Sequence, residues 1–117
     1  MEIKIIKNPI SLDEVRKISR EGKFVELIKA VVDAEQEIMA VGGELHADEE
    51  TELMEKAGSK RENTWGINLY PAKTGEEFIE FDSMINLKPA FGNRSRSVEN
   101  LEIREKIIKI IDKLISK

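Results

Sequence analysis

Cysteine is absent from this 117-residue chain. Disulfides, a thiolate nucleophile and sulfur-ligated zinc are therefore excluded. Aromatic side chains are scarce: one Trp, one Tyr and four Phe. Any core must be built from Ile, Leu, Val, Ala and Met. No apolar run approaches the roughly 20 residues that span a bilayer. The opening Met1-Glu2-Ile3-Lys4-Ile5-Ile6-Lys7 has neither the apolar stretch nor the small-residue cleavage site of a signal peptide. A soluble cytoplasmic protein is the expectation, with no membrane partner. Positive charge is also short, at 19 Lys and Arg against 23 Asp and Glu, a net charge of −4. No broad basic face can form, so non-specific binding to duplex nucleic acid is not expected.

What is present is charge of both signs and aliphatic bulk. Asp, Glu, Lys and Arg make up 36% of the chain, against about 25% in ordinary domains. The Lys/Glu/Ile bias resembles that of proteins from hot environments, although helix surfaces produce the same bias. The length fits one domain spanning 1–117.

Hydrophobic periodicity gives the elements. Residues 2–6 read as a short strand ended by Pro9. Ser11-Leu12-Asp13-Glu14 fits a capping box, and Leu12, Val15 and Ile18 place a helix over 12–20. Residues 24–41 fit either a long amphipathic helix, through Phe24, Leu27, Ile28, Val31, Ala34 and Ile38, or a hairpin. In the hairpin, Val25 to Ala34 and Glu37 to His46 are strands around a turn at Asp33-Ala34-Glu35-Gln36. Ala30-Val31-Val32 and Gly42-Gly43 favour strands. Asp48 suits an N-cap, with Glu49, Glu50 and Glu52 along the first turn and Gly58 as the stop. Residues 64–70 alternate as a strand. Residues 77–88 look like a second, with Ile79, Phe81, Ile85 and Leu87 on one side. Residues 100–116 form a strong amphipathic helix carrying Ile103, Ile107, Ile110, Ile111 and Leu114 inward. The expected fold is α+β: an antiparallel sheet of about five strands with three helices, the last one long. Helices gathered on one face would leave the other open to ligand or partner.

Three clusters can carry chemistry. On an extended segment, Glu44, His46 and Asp48 project from one face, because strand side chains alternate. Two carboxylates flanking the sole imidazole suit either a divalent metal or acid–base work. A capped helix start is the plainer reading of Asp48. Asn68, Tyr70, Asp82 and Asn86 share a face if residues 64–70 and 77–88 pair. Mid-strand carboxamides need partners, supplied by a ligand or by a structural network. Gly92-Asn93-Arg94-Ser95-Arg96 precedes the last helix, and a glycine, two guanidinium groups and a helix N-terminus together suit an anion.

The runs Gly42-Gly43-Glu44-Leu45-His46-Ala47-Asp48-Glu49-Glu50, Trp65-Gly66-Ile67-Asn68-Leu69-Tyr70-Pro71 and Ile85-Asn86-Leu87-Lys88-Pro89 to Gly92-Asn93-Arg94-Ser95 resemble a family of small bacterial and archaeal proteins catalogued as a domain of unknown function. The resemblance covers residues 24–116. It implies strand–turn–strand over Ala30 to Glu44 and so selects the hairpin. It implies no activity, cofactor or catalytic residue, but its characteristic runs coincide with the three clusters.

Three functional readings follow. The first is a small-ligand site, binding or hydrolytic, for an anionic or phosphate-containing molecule. His46, Glu44 and Asp82 would be its catalytic groups. Asn68, Tyr70, Asn86, Asn93, Arg94 and Arg96 would contact the ligand, with a divalent metal held by Glu44, His46 and Asp48. The second is a non-catalytic interaction or regulatory module, homodimeric in one version, with Trp65 as an interface anchor. The third, an RNA-binding or RNA-cleaving protein using His46, Tyr70, Arg94 and Arg96, is disfavoured by the acidic balance.

Overall fold

Ser11 accepts a hydrogen bond from the Glu14 amide at 3.1 Å and starts the first helix. In the computed structural model, which describes residues 2–117, this cap follows two short strands, β1 (Lys4–Ile6) and β2 (Ile10–Ser11), and opens α1 (Leu12–Glu21). The 24–41 segment is the hairpin: β3 (Ile28–Asp33) and β4 (Ile38–Val41) pair antiparallel, with Val31 opposite Ala40. Asp33 builds the turn. Its Oδ1 accepts from the Glu35 and Gln36 amides at 2.9 and 3.0 Å, and its carbonyl accepts from the Glu37 amide. Its Oδ2 accepts from Ser59 Oγ at 2.6 Å, tying the turn to the end of the second helix.

That helix, α2 (His46–Ala57), ends at Gly58, and β5 (Thr64–Leu69) follows. The central sheet has the order β1-β4-β3-β5-β6, every pair antiparallel. Its edge strand β6 (Ile79–Glu80) is only two residues long. The long C-terminal helix α3 (Leu101–Leu114) is capped by Asn100 Oδ1 and runs into β7 (Ile115–Ser116). Strand β7 pairs parallel with β2, an addition the sequence did not announce.

Two corrections concern the faces and the edge. Helices α1 and α3 pack on the face formed by Ala30, Val32, Met39, Val41, Trp65, Ile67 and Leu69. Helix α2 covers part of the other, where Leu53 meets Val31, Ile38, Ala40 and Ile85. The helices are thus on both faces, because α2 has an apolar contact at Leu53 that must also leave water. The clear alternation over 77–88 yields only β6, flanked by single turns of 3₁₀ helix at Gly75–Phe78 and Met84–Asn86. Phe78 is buried in the first core and Ile85 in the second, so the run crosses the sheet edge rather than extending along it.

The reason lies at Gly66. Asn86 donates from Nδ2 to the Gly66 carbonyl at 3.0 Å and accepts the Gly66 amide on Oδ1 at 2.8 Å. A carboxamide thereby replaces a neighbouring strand. A Cβ at Gly66 would lie 2.5 Å from Ser83 Oγ, so the close approach of this segment requires glycine there. Among the described residues no helix is long and apolar enough to cross a membrane.

Candidate functional site

The Gly42-Gly43 run ends the strand. Gly42 takes φ +97°, and a Cβ there would meet the Glu2 carbonyl oxygen at 2.6 Å. Alternation therefore stops at Val41, and His46 opens α2, with Leu45 as the preceding cap residue. Glu44, His46 and Asp48 consequently share no face. Glu44 is exposed, 4.0 Å from Lys23 Nζ. Asp48 is exposed in the first helical turn and is not the N-cap. Among the described residues no group of three His, Asp or Glu side chains is placed to hold a metal. The expected Glu44–His46–Asp48 cradle does not form.

What forms instead is an inward stripe on α2. His46, Glu49, Glu50 and Leu53 stand at i, i+3, i+4 and i+7 and are all buried against the sheet. His46 Nε2 lies 2.8 Å from the Ile67 carbonyl oxygen. A carbonyl only accepts, so Nε2 carries the hydrogen, and in the neutral ring Nδ1 keeps the lone pair. Burial lowers the imidazole pKa; the bond to Ile67 opposes this, and the charges of Lys29, Asp82 and Arg96 also reach the ring. Glu49 is fully buried. Its Oε2 accepts the Gly43 amide at 3.0 Å, and its Oε1 has no partner among the described residues. Burial pushes this carboxyl well above the usual carboxylate range, opposed by the Gly43 amide and the charge of Lys29. Glu50 serves structure: it takes Arg61 Nη1 at 3.0 Å and Thr64 Oγ1 at 2.6 Å.

The sheet contributes the opposing wall. Lys29 on β3 sits directly across from Asn68 on β5. Asn68 donates from Nδ2 to Glu80 Oε1 at 2.9 Å and to the Asp82 carbonyl at 3.2 Å, while its own buried Oδ1 has no partner among the described residues. Tyr70 donates to the same Glu80 oxygen at 2.9 Å. Asp82 Oδ1 accepts from Arg96 Nε at 2.6 Å. Thus Asn68, Tyr70, Asp82 and Arg96 form one continuous polar edge, and the charges of Asp82 and Arg96 bear on His46. Beside this wall, a niche of about 20 Å³ bounded by Lys29, Gly42, Gly43 and Glu44 holds no more than one water-sized body.

Other expected ligand contacts are occupied internally. Asn86 is fully buried and spends its carboxamide on Gly66 and the Arg96 carbonyl. Asn93 Nδ2 donates to the carbonyls of Asn86, Ser95 and Ser97, and its Oδ1 accepts the Glu99 amide. These two carboxamides organise the 83–99 loop and offer nothing to a ligand. Arg94 is exposed and makes no ion pair among the described residues. Trp65 is buried in the core beside α3, which removes it as an interface anchor.

Lys29, Glu49 and Lys88 were not singled out by the sequence. Lys88 is 3% exposed. Its Nζ donates to the carbonyls of Arg61 and Thr64 and stands 4.3 Å from the Trp65 ring centroid. Burial, reinforced by the charge of Arg61, lowers its pKa to about 8. The signal for Glu49 was available: once His46 begins the helix, spacing alone turns Glu49 inward. Nothing local marks Lys29 or Lys88, since each depends on its cross-chain neighbours.

Residues 4–114 match a family described as "Protein of unknown function (DUF5674)". No curated protein and no solved structure matches the chain.

Proposed function

The chain belongs to the DUF5674 family, and we propose that it binds a small hydroxylated organic anion, of the sugar-phosphate or hydroxy-acid class, where α2 meets the β3–β5 face. One observation carries this reading: a buried neutral imidazole and the partnerless Asn68 Oδ1 lie on the same face as the cations Lys29 and Arg96. Buried acceptors without donors are rare in folded proteins and cost free energy unless something supplies the hydrogens. Hydroxyl groups supply hydrogens; Lys29 and Arg96 supply the charge complement for an anionic group.

Within this reading His46 Nδ1 accepts a ligand hydroxyl and, in a hydrolytic reaction, takes a proton from water. Glu49, whose carboxyl pKa burial raises, is the matching acid. A base whose pKa is lowered and an acid whose pKa is raised by their surroundings are matched for proton transfer near neutral pH. The ligand sits over the face rather than deep within it, because the adjoining niche is water-sized.

The test is an NMR titration of the single imidazole with glycerol 3-phosphate, glucose 6-phosphate and citrate. Glucose and inorganic phosphate serve as half-ligands. A saturable shift of the His46 ring nitrogens is expected from at least one hydroxylated anion, weakened about tenfold, or about 1.4 kcal/mol, in Lys29→Ala or Arg96→Ala. If none of the probes moves the imidazole at tens of millimolar, the reading fails.

A further inference from the structure

A second site lies on the opposite side of the sheet, away from α2. A groove of about 720 Å³ runs between the edge strand β6 and α3, in the size range of small-molecule sites. Phe78, Ile79, Phe81, Leu101, Arg104 and Ile108 form its walls. Leu101 is 69% exposed and Ile108 40%, so two large aliphatic side chains face water along one side of the groove.

Arg104 is the unusual member. Its guanidinium lies 4.4 Å from the Phe81 ring centroid, stacked on the groove wall. Its Nε–H is shut off from water and has no acceptor among the described residues. Its Nη2 donates to Ser97 Oγ at 3.5 Å. No carboxylate pairs with it among the described residues, although 23 acids are available in the chain. A guanidinium stacked on an aromatic ring and lacking a carboxylate presents a planar fork of donors.

The rim sets the charge of what can enter. Glu76, Glu105 and Asp112 are exposed along the edge, and Asp112 lies 4.0 Å from Lys117 Nζ. Lys117 in turn stands 4.1 Å over the Phe78 ring. Three rim carboxylates repel a dianion such as a phosphate monoester. The cations that meet a single planar negative charge are Arg104 over Phe81 and Lys117 over Phe78, with the apolar wall beneath them. We propose that this groove is a binding site for an amphipathic monocarboxylate, its carboxylate in a two-bond contact with the two Nη groups of Arg104 and its hydrocarbon part against Phe78, Ile79, Leu101 and Ile108. This site is independent of the one beside His46.

Isothermal titration of the whole chain with decanoate, below its micelle concentration, tests the proposal. Decylamine, decanol and acetate are run beside it. Saturable one-to-one binding of decanoate is expected, with decylamine, decanol and acetate at least about tenfold weaker. Arg104→Gln should weaken decanoate about tenfold or more while its melting temperature and circular dichroism remain those of the wild type. Ile108→Asp should abolish binding without unfolding, since residue 108 faces water. Where Arg104→Gln does not fold, Arg104→Lys serves instead: it keeps the charge, loses the fork, and is expected to bind more weakly. Equal binding of decanol, or decanoate affinity unchanged in Arg104→Gln or Arg104→Lys, overturns the proposal. Light scattering supplies a further outcome: a dimer that dissociates in Ile108→Asp would assign the groove to a second copy of the chain and overturn the ligand.

Discussion

Asn86 and Gly66 exchange two hydrogen bonds across the edge of β5, one in each direction, at 2.8 and 3.0 Å. A side chain thus completes a backbone ladder. Asn86→Ala would leave the Gly66 amide and carbonyl and the Arg96 carbonyl without this partner in a buried setting. At about 1–3 kcal/mol for a stranded buried group, the loss should be about 3 kcal/mol in urea unfolding. A loss below about 1 kcal/mol would mean that water or a shifted loop replaces the carboxamide.

Gly66→Ala probes the same joint from the other strand. The new Cβ would stand 2.5 Å from both Cβ and Oγ of Ser83. Overpacking of this kind costs about 1–3 kcal/mol. Ser83→Gly in the Gly66→Ala background should return part of it, beyond what Ser83→Gly does alone. Additivity in that double-mutant cycle would show that the two positions do not touch.

His46 gives stability a dependence on pH. Its folded pKa lies below the ordinary 6.5, with burial as the main cause. The unfolded chain therefore takes up a proton first. The contribution is fully present above pH 6.5 and is lost as pH falls through the folded pKa. Melting temperatures between pH 7.5 and 5.5 should decline, and His46→Gln, which keeps a donor toward Ile67, should flatten that decline. An unchanged slope in the variant would assign the dependence to other groups.

Glu49 acts in the opposite direction. Its folded pKa is raised well above 4.5 by burial, so its contribution is complete below 4.5 and lost as pH rises through the folded value. Glu49→Gln mimics the protonated form, keeps an acceptor for the Gly43 amide, and should remove this loss. A wild-type-like profile would show that the carboxyl is charged in the native state.

Lys88 has a built-in reporter, the sole tryptophan. With a pKa of about 8 and its Nζ 4.3 Å from the Trp65 ring, titration from pH 6.5 to 9.5 should change the emission with a midpoint near 8. Lys88→Met should abolish the transition. Neutral lysine keeps two N–H groups, so both carbonyl contacts survive deprotonation. Folding stability should rise from about pH 8 toward 10.5, because the unfolded lysine still binds the proton that the folded one has released.

Much of this architecture could be read from side-chain periodicity. Ser11 announced α1 and the spacing of Ile107, Ile110, Ile111 and Leu114 announced α3, while residues 24–41 fitted helix or hairpin alike until the family resemblance selected the hairpin. The site was harder. Asp48 looked like a cap because Asp is a good one, yet the chain begins α2 at His46, and that shift converts a row of surface acids into a buried stripe. The long alternating run after Glu77 failed for a different reason. Its pattern fits a strand, but Asn86 satisfies the β5 edge by a side-chain contact that leaves no periodic trace. Asp82 and Arg96, distant in sequence, do meet, while Asn93 is consumed by its own loop. Hydrogen-bond demand of a carboxamide is visible in sequence; its supplier is not.

Strands β2 and β7 lie side by side, Ile10 against Ile115 and Ser11 against Ser116. Neither β2 nor β7 can peel away alone, because among the described residues each is the other's only ladder. A bulky fusion after β7 would therefore be felt at β2 and the start of α1.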